Sequence, residues 1–139
     1  YRALESMYKT APVNAFYLPE IGVTEGESEI SIAVSEKLFH SARAVHGSVY
    51  FKMLDDAAFF AANSLEPDYF VLTTSFTTYL TGPVSEGRLR SVGKVVNRTK
   101  SQCIVEAVVY DSDGNEVGRG NGIFVRSKMR LNDAMGYGE

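Results

Sequence analysis

The chain is poor in the residues that staple small proteins: one cysteine, Cys103, and two histidines, His40 and His46, in 139 residues. A lone cysteine forms no internal disulfide, and three soft or imidazole ligands fall short of the four a structural zinc takes. Disulfide scaffolds and zinc modules are excluded on that ground, and no metal is expected. Basic charge is also scarce. Lys and Arg number 14 against 17 Asp and Glu, a net charge of −3 without any basic run. Nucleic-acid binding needs a concentrated positive footprint and is not expected. No stretch approaches the roughly 18 uninterrupted apolar residues of a membrane helix, and the opening YRALESMYKTAP lacks the apolar centre of a signal peptide. The expectation is a cytoplasmic protein without membrane contact.

What is present is an ordinary globular composition, 45% hydrophobic, 22% charged and 12% aromatic. It excludes disorder and collagen-like repeats. Two domains in 139 residues would leave each half near the lower limit for its own core, so one domain over 1–139 is predicted. Leu4, Met7 and Tyr8 recur at helical spacing ahead of Pro12 and Pro19, giving a leading helix or arm over 1–19 that continues as extended chain. Past the turn residues Glu25-Gly26-Glu27, the alternation Ile30, Ile32, Val34 marks the first strand.

From Gly47 to Ser64 the period changes. Val49, Met53, Ala57 and Phe60 form one helical row and Tyr50, Leu54, Ala58 and Ala61 the next, with only Lys52, Asp55 and Asp56 charged. So apolar a helix must be covered on most sides. Four strand-like runs follow, Phe70 to Leu80, Arg88 to Arg98, Gln102 to Tyr110 and Glu116 to Val125, separated by turn residues. Short links predict an antiparallel meander, and the polar stretch 127–139 a loose tail. The result is an α+β domain in which one curved sheet wraps one long central helix, and whose uncovered side calls for a second copy.

Chemistry-bearing residues cluster at that helix: His46-Gly47-Ser48 at its start and Asp55 inside the apolar run. The stretches AVHGSVYFKMLDDAAFFAANS, TTSFTTYLTGPVSEGRLRSVGKVV and VEAVVYDSDGNEVGRGNGIF resemble the PaaI-type acyl-CoA thioesterases of the hotdog superfamily over roughly residues 20 to 126. The resemblance implies a hotdog fold, a homodimer that assembles further into a homotetramer, and hydrolysis of an acyl-CoA thioester with no cofactor, coenzyme A being part of the substrate. Residue by residue, it aligns the family's His-Gly-Gly with His46, Gly47 and Ser48 and the family aspartate with Asp55. It puts His40 where an asparagine is common, and Thr73 where a Ser or Thr lies near the water.

Elementary chemistry supports those roles. The amide of Gly47 at a helix N-terminus can stabilise an oxyanion, and glycine lets the substrate come close. Asp55 can attack the carbonyl or activate water. Eight residues at 1.5 Å rise put the two about 12 Å apart, so one chain cannot serve one carbonyl with both. Two antiparallel helices in a two-fold dimer bring Gly47 of one subunit beside Asp55 of the other.

Each residue also has a plainer reading. Gly47 and His46 are ordinary cap residues, Asp55 and Asp56 compete for Lys52, and Thr73 is a common strand residue. Isolated Arg88, Arg90, Arg98 and Lys100 near strand ends are the candidates for coenzyme A phosphates or are simply solvated. Tyr50 and Phe59 line an acyl pocket or pack the core. Replacement of the family asparagine by His40 leaves open a second reading, a hotdog protein that binds or senses acyl-CoA without cleaving it.

Overall fold

The computed structural model describes residues 1–138; Glu139, the last residue of the expected tail, lies outside them. Helix α1, Arg2–Thr10, buries Leu4, Met7 and Tyr8, the row its sequence shows. The chain beyond is not extended as expected. Ala11 O and Pro12 O accept from the amides of Asn14 and Ala15, starting a four-residue helix α2, Asn14–Tyr17. The fixed φ of Pro12 is already helical, which favours this turn.

Strands β1, Glu20–Thr24, and β2, Glu27–Ala33, form a hairpin around Gly26, whose φ of 74° needs glycine. The sequence shows only β2, because Val23 is the sole buried side chain of β1 and one residue makes no pattern. Helix α3 spans Gly47–Asn63. Strands β3 (Tyr69–Leu80), β4 (Arg88–Arg98), β5 (Cys103–Tyr110) and β6 (Glu116–Arg130) complete one antiparallel sheet of order β1-β2-β4-β5-β6-β3.

That order corrects the simple meander. Strands β4, β5 and β6 follow one another, but β3 pairs with β6 and stands at the sheet edge. The link after β3 is a crossing rather than a hairpin. Val117 O accepts from the amides of Thr81 and Gly82, Val84 O from Val45, and Gly87 O from Val34, so the chain is pinned across the sheet end to β2. The tail needs correction too. Strand β6 runs on to Arg130, the Leu131 amide donates to Asp68 O, and Leu131 is 2% exposed. Gly136, with φ 80°, packs on Thr10 and Met7 of α1. One buried leucine among polar neighbours leaves no periodic trace.

The sheet curls around α3. Ile30, Ile32, Leu89, Val105, Val109 and Phe124 meet Met53, Leu54, Ala57, Ala58 and Ala61 in a single core, each large side chain contributing about 1.5–3 kcal/mol. The approach is close enough for backbone contact. Ser28 Oγ donates to Ala57 O at 2.6 Å and Ser91 Oγ to Met53 O at 2.8 Å, while Gly93 lies directly under the Ala57–Ala58 peptide.

Opposite this anchor, the helix row Gly47, Phe51, Asp55, Phe59 faces edge strand β3. Leu80 lies beside Gly47, Phe76 stacks edge-on with Phe51 at 5.6 Å, Thr73 reaches Asp55, and Phe70 meets Phe59 at 5.0 Å. Phe51, Leu72, Tyr79 and Leu80 are 43–55% exposed along this side.

Candidate active site

His46 caps α3. Its Nδ1 accepts from the Ser48 amide at 3.0 Å and its carbonyl from the Val49 amide. A ring nitrogen that accepts carries no proton, so the Ser48 hydroxyl, 2.8 Å away, donates to it as well. The cap thus uses the amides of Ser48 and Val49. Among the described residues the Gly47 N–H has no partner. His40 turns back on its own loop, its Nδ1 accepting from Ala42 N at 3.1 Å, with its ring edge-on to His46 at 6.4 Å. The loop is held by His40 N to Ala44 O and Arg43 N to His40 O, with Arg43 at a φ of 64°. A cleft of about 490 Å³ surrounds Gly47, lined also by His40, Tyr50, Leu80 and Pro83. Tyr50 is fixed there by its hydroxyl on Gly82 O at 2.8 Å.

Asp55 lies in a different cleft, of about 320 Å³, with Thr73, Phe59, Phe70, Tyr8 and Asn14 among its walls. Thr73 Oγ1 donates to Asp55 Oδ1 at 2.9 Å. Burial raises the Asp55 carboxyl above its ordinary value; the Thr73 bond opposes this, Asp56 adds to the rise and Lys52 offsets it. Asp56 is otherwise committed. It pairs with Lys52 Nζ at 2.6 Å and accepts from Tyr8 OH at 2.7 Å. Burial, and then Asp56 itself, hold the Tyr8 phenol far above its ordinary value, so it stays a donor. Lys52 pairs with Asp56 rather than Asp55, which leaves Asp55 without a salt bridge among the described residues.

Within one chain the Phe51–Phe76 pair stands between the two clefts. The structure therefore gathers Gly47, His40, His46, Ser48 and Tyr50 at the start of α3, and Asp55, Thr73 and Phe59 around its middle. Arg98 and Lys100 line a smaller cleft of about 60 Å³ with Glu66, Arg126 and Cys103, and Val71 lines both this cleft and that of Asp55. Arg88 and Arg90 reach none of the three. They are exposed on β4, Arg88 on Ser31 Oγ at 3.0 Å and Arg90 on Glu29 at 2.6 Å and over the Tyr110 ring.

Sequence reasoning missed Tyr8, Asn14 and Arg126. Arg126 bridges Glu66 at 2.7 Å, sixty residues away, and Tyr8 reaches Asp56 from forty-eight residues away. No local spacing signals contacts so remote. Lys52 and Asp56, four apart on a helix, were visible as a pair.

One long central helix wrapped by one antiparallel sheet defines a hotdog-fold protein. Among solved structures the chain is similar to the E. coli PaaI protein from the phenylacetic acid degradation operon, with a TM-score of 0.85 at 18% identity over 93% of this chain and 94% of that one. It is similar to a thioesterase-superfamily protein at 25% identity, TM-score 0.80, over 91% and 100% of the two chains. A thioesterase from Haemophilus influenzae superposes with a TM-score of 0.78 at 12% identity, over 86% and 85%. Comparison with curated proteins gives no match. The model of the thioesterase superfamily matches residues 43–118, more than half of the chain and all of α3; the chain belongs to that superfamily. No helix among the described residues is long and apolar enough to cross a membrane.

Proposed function

We propose that this protein hydrolyses acyl-CoA thioesters at two equivalent sites of a homodimer. The observation that carries the reading is Asp55: a carboxylate kept out of ion pairs, oriented by Thr73 in a mostly apolar cleft, its pKa raised toward the range a general base needs. The Gly47 N–H of the partner subunit polarises the thioester carbonyl. Asp55 takes a proton from water as the water oxygen bonds to the carbonyl carbon, and the developing oxyanion rests on the Gly47 amide. The C–S bond then breaks, and the coenzyme A thiolate recovers the proton that Asp55 holds.

His40 takes the place of the family asparagine. With Nδ1 accepting from Ala42, its proton sits on Nε2, leaving one N–H donor for the thioester or the water. Arg98 and Lys100 are the candidates for coenzyme A phosphates that share a wall with the Asp55 cleft; Arg88 and Arg90 serve the surface. Coenzyme A enters as part of the substrate, and the chemistry calls for no further cofactor. The exposed Phe51, Leu72, Tyr79 and Leu80 beside the free edge of β3 support a second copy as the partner; a dimer of dimers in the cytoplasm is part of the same proposal.

Thiol release from short, medium, long and aromatic acyl-CoA thioesters, on the wild type and on Asp55→Asn, tests the activity. Asp55-dependent release supports it; binding without release on every member favours the sensing role. The shared site has its own test. Gly47→Pro removes the proposed donor while suiting the first helical position, and His46 at φ −62°, ψ 143° already has the backbone that precedes proline. Gly47→Pro and Asp55→Asn are each expected to be inactive. Mixed and refolded together they regain roughly one quarter of wild-type activity, because half the dimers carry one intact site of two.

A further inference from the structure

The Lys52 ammonium has three partners. Its Nζ lies 2.6 Å from Asp56 Oδ2, and two rings of the N-terminal arm face it, Tyr17 at 5.0 Å and Tyr8 at 5.4 Å from the ring centroid. Tyr8 closes the arrangement, its hydroxyl donating to the same Asp56 oxygen at 2.7 Å while its ring packs edge-on against Phe60 at 5.0 Å. The side chains of Lys52 and Asp56 are only 17% and 18% exposed, so water and salt screen the pair less than a surface one. The arm is itself fixed. Glu5 accepts from the Val23 amide at 2.8 Å, and Asn14 Nδ2 donates to Tyr8 O at 2.7 Å. It lies outside residues 43–118, the span that the superfamily model matches.

A second carboxylate competes for this ammonium. Lys52 and Asp55 are three residues apart on α3, neighbours on the helix surface, and both line the same cleft. Tyr8 of α1 and Lys52, Asp55 and Asp56 of α3 are the titratable groups among its walls; β3 adds the Thr73 hydroxyl and α2 the Asn14 amide. Among the described residues that line the cleft, Lys52 is the one cation. As the side chains stand it is the smallest of the four influences on the Asp55 carboxyl, behind burial, Thr73 and Asp56. Seated on Asp55 instead, it would favour the charged form and weaken the carboxylate as a base.

We infer that Asp56 is a positioning residue: with Tyr8 and Tyr17 it holds the Lys52 ammonium off Asp55, so that the Asp55 carboxylate is free to take a proton from water. The consequence for turnover rests on the reading of Asp55 as the base; the hold on Lys52 does not.

The test follows kcat/KM against pH in the wild type, Asp56→Asn, Lys52→Met and the double variant. In Asp56→Asn the released ammonium turns to Asp55, so the acid limb moves to lower pH and the plateau falls by about tenfold or more. Adding Lys52→Met to that variant restores most of the lost activity and moves the limb back up. That upward move exceeds the one Lys52→Met makes in the wild type, where the ammonium is already engaged. Equal effects of Lys52→Met in the two backgrounds, or a loss in Asp56→Asn that Lys52→Met does not restore, overturn the inference. Should Asp56→Asn not fold, Asp56→Ser, whose hydroxyl still accepts from Tyr8, takes its place; failure of both marks Asp56 as structural and overturns it too. If the wild type releases no thiol, the hydrolase reading has failed instead, and the Asp55 carboxyl is titrated by 13C NMR in the same proteins, its signal assigned by its loss in Asp55→Asn. A larger effect of Lys52→Met once Asp56 is replaced then supports the hold on Lys52, and equal effects overturn it.

Discussion

Thr73 Oγ1 and Asp55 Oδ1 lie 2.9 Å apart, the hydroxyl of the edge strand donating to the carboxylate of the central helix. This bond favours the ionised form of Asp55 against the burial that raises its pKa, so one side chain both orients the carboxylate and opposes that rise.

Removing that donor moves the acid limb of the pH profile. A general base must be ionised, so kcat/KM rises with pH through the pKa of free-enzyme Asp55. Thr73→Val takes away a bond to the charged form, and the limb shifts to higher pH; Thr73→Ser, which keeps the hydroxyl, leaves it near its wild-type place. An unmoved limb in Thr73→Val would show that another group governs it.

Asp55→Asn trades activity for stability. Thiol release falls by about a hundredfold to ten-thousandfold. A carboxyl whose folded pKa exceeds its unfolded value withdraws stability as pH rises from the unfolded to the folded pKa, and the loss is complete above both. Asparagine has no such penalty. Melting at neutral pH is therefore expected at or above the wild-type temperature, with the difference vanishing below about pH 4, the ordinary aspartate value. A variant that melts well below wild type at neutral pH would mark Asp55 as structural.

Phe51 is midway between Gly47 and Asp55 on the same helix row. If antiparallel helices bring Gly47 of one subunit beside Asp55 of the other, the two-fold axis passes Phe51, and the two copies of this exposed ring meet. Phe51→Cys should then give a disulfide-linked dimer on mild oxidation, while the wild type, whose only cysteine is the half-buried Cys103, does not. Phe51→Asp should give monomers by light scattering and lose activity. A monomeric Phe51→Asp with wild-type turnover would rule out a shared site.

Gly93→Ala tests the seating of the helix. A Cβ there overlaps the Ala57 carbonyl and comes within 2.7 Å of Ala58 N, backbone atoms that cannot swing aside. The expected cost is about 3 kcal/mol or more by denaturant unfolding. Gly47→Ala, by contrast, meets only the flexible end of Leu80 at 2.9 Å and should melt close to wild type.

The central helix was readable because its apolar rows repeat every four residues, a strong local signal. The place of β3 was not, since pairing with β6 depends on contacts some fifty residues away that leave no mark on either strand. Likewise one buried valine hid β1, and one buried leucine hid the order of the C-terminal stretch. At the candidate site, Gly47, Asp55 and Thr73 were singled out through the family resemblance rather than by pattern. The structure brings Asp55 and Thr73 together, turns His46 into a cap and leaves Arg88 and Arg90 on the surface. The Tyr8 and Tyr17 rings at Lys52 carried no signal, because a contact between distant stretches exists only once the chain is folded.

Ser28 and Ser91 grip the helix by its own carbonyls, on the side turned away from Asp55. A helix held by its backbone neither slides nor rolls when side chains on its far side change. The position of the Asp55 carboxylate is thereby separated from the make-up of the walls around it. Phe59, Phe70 and the residues of the arm are then free to differ without moving that carboxylate.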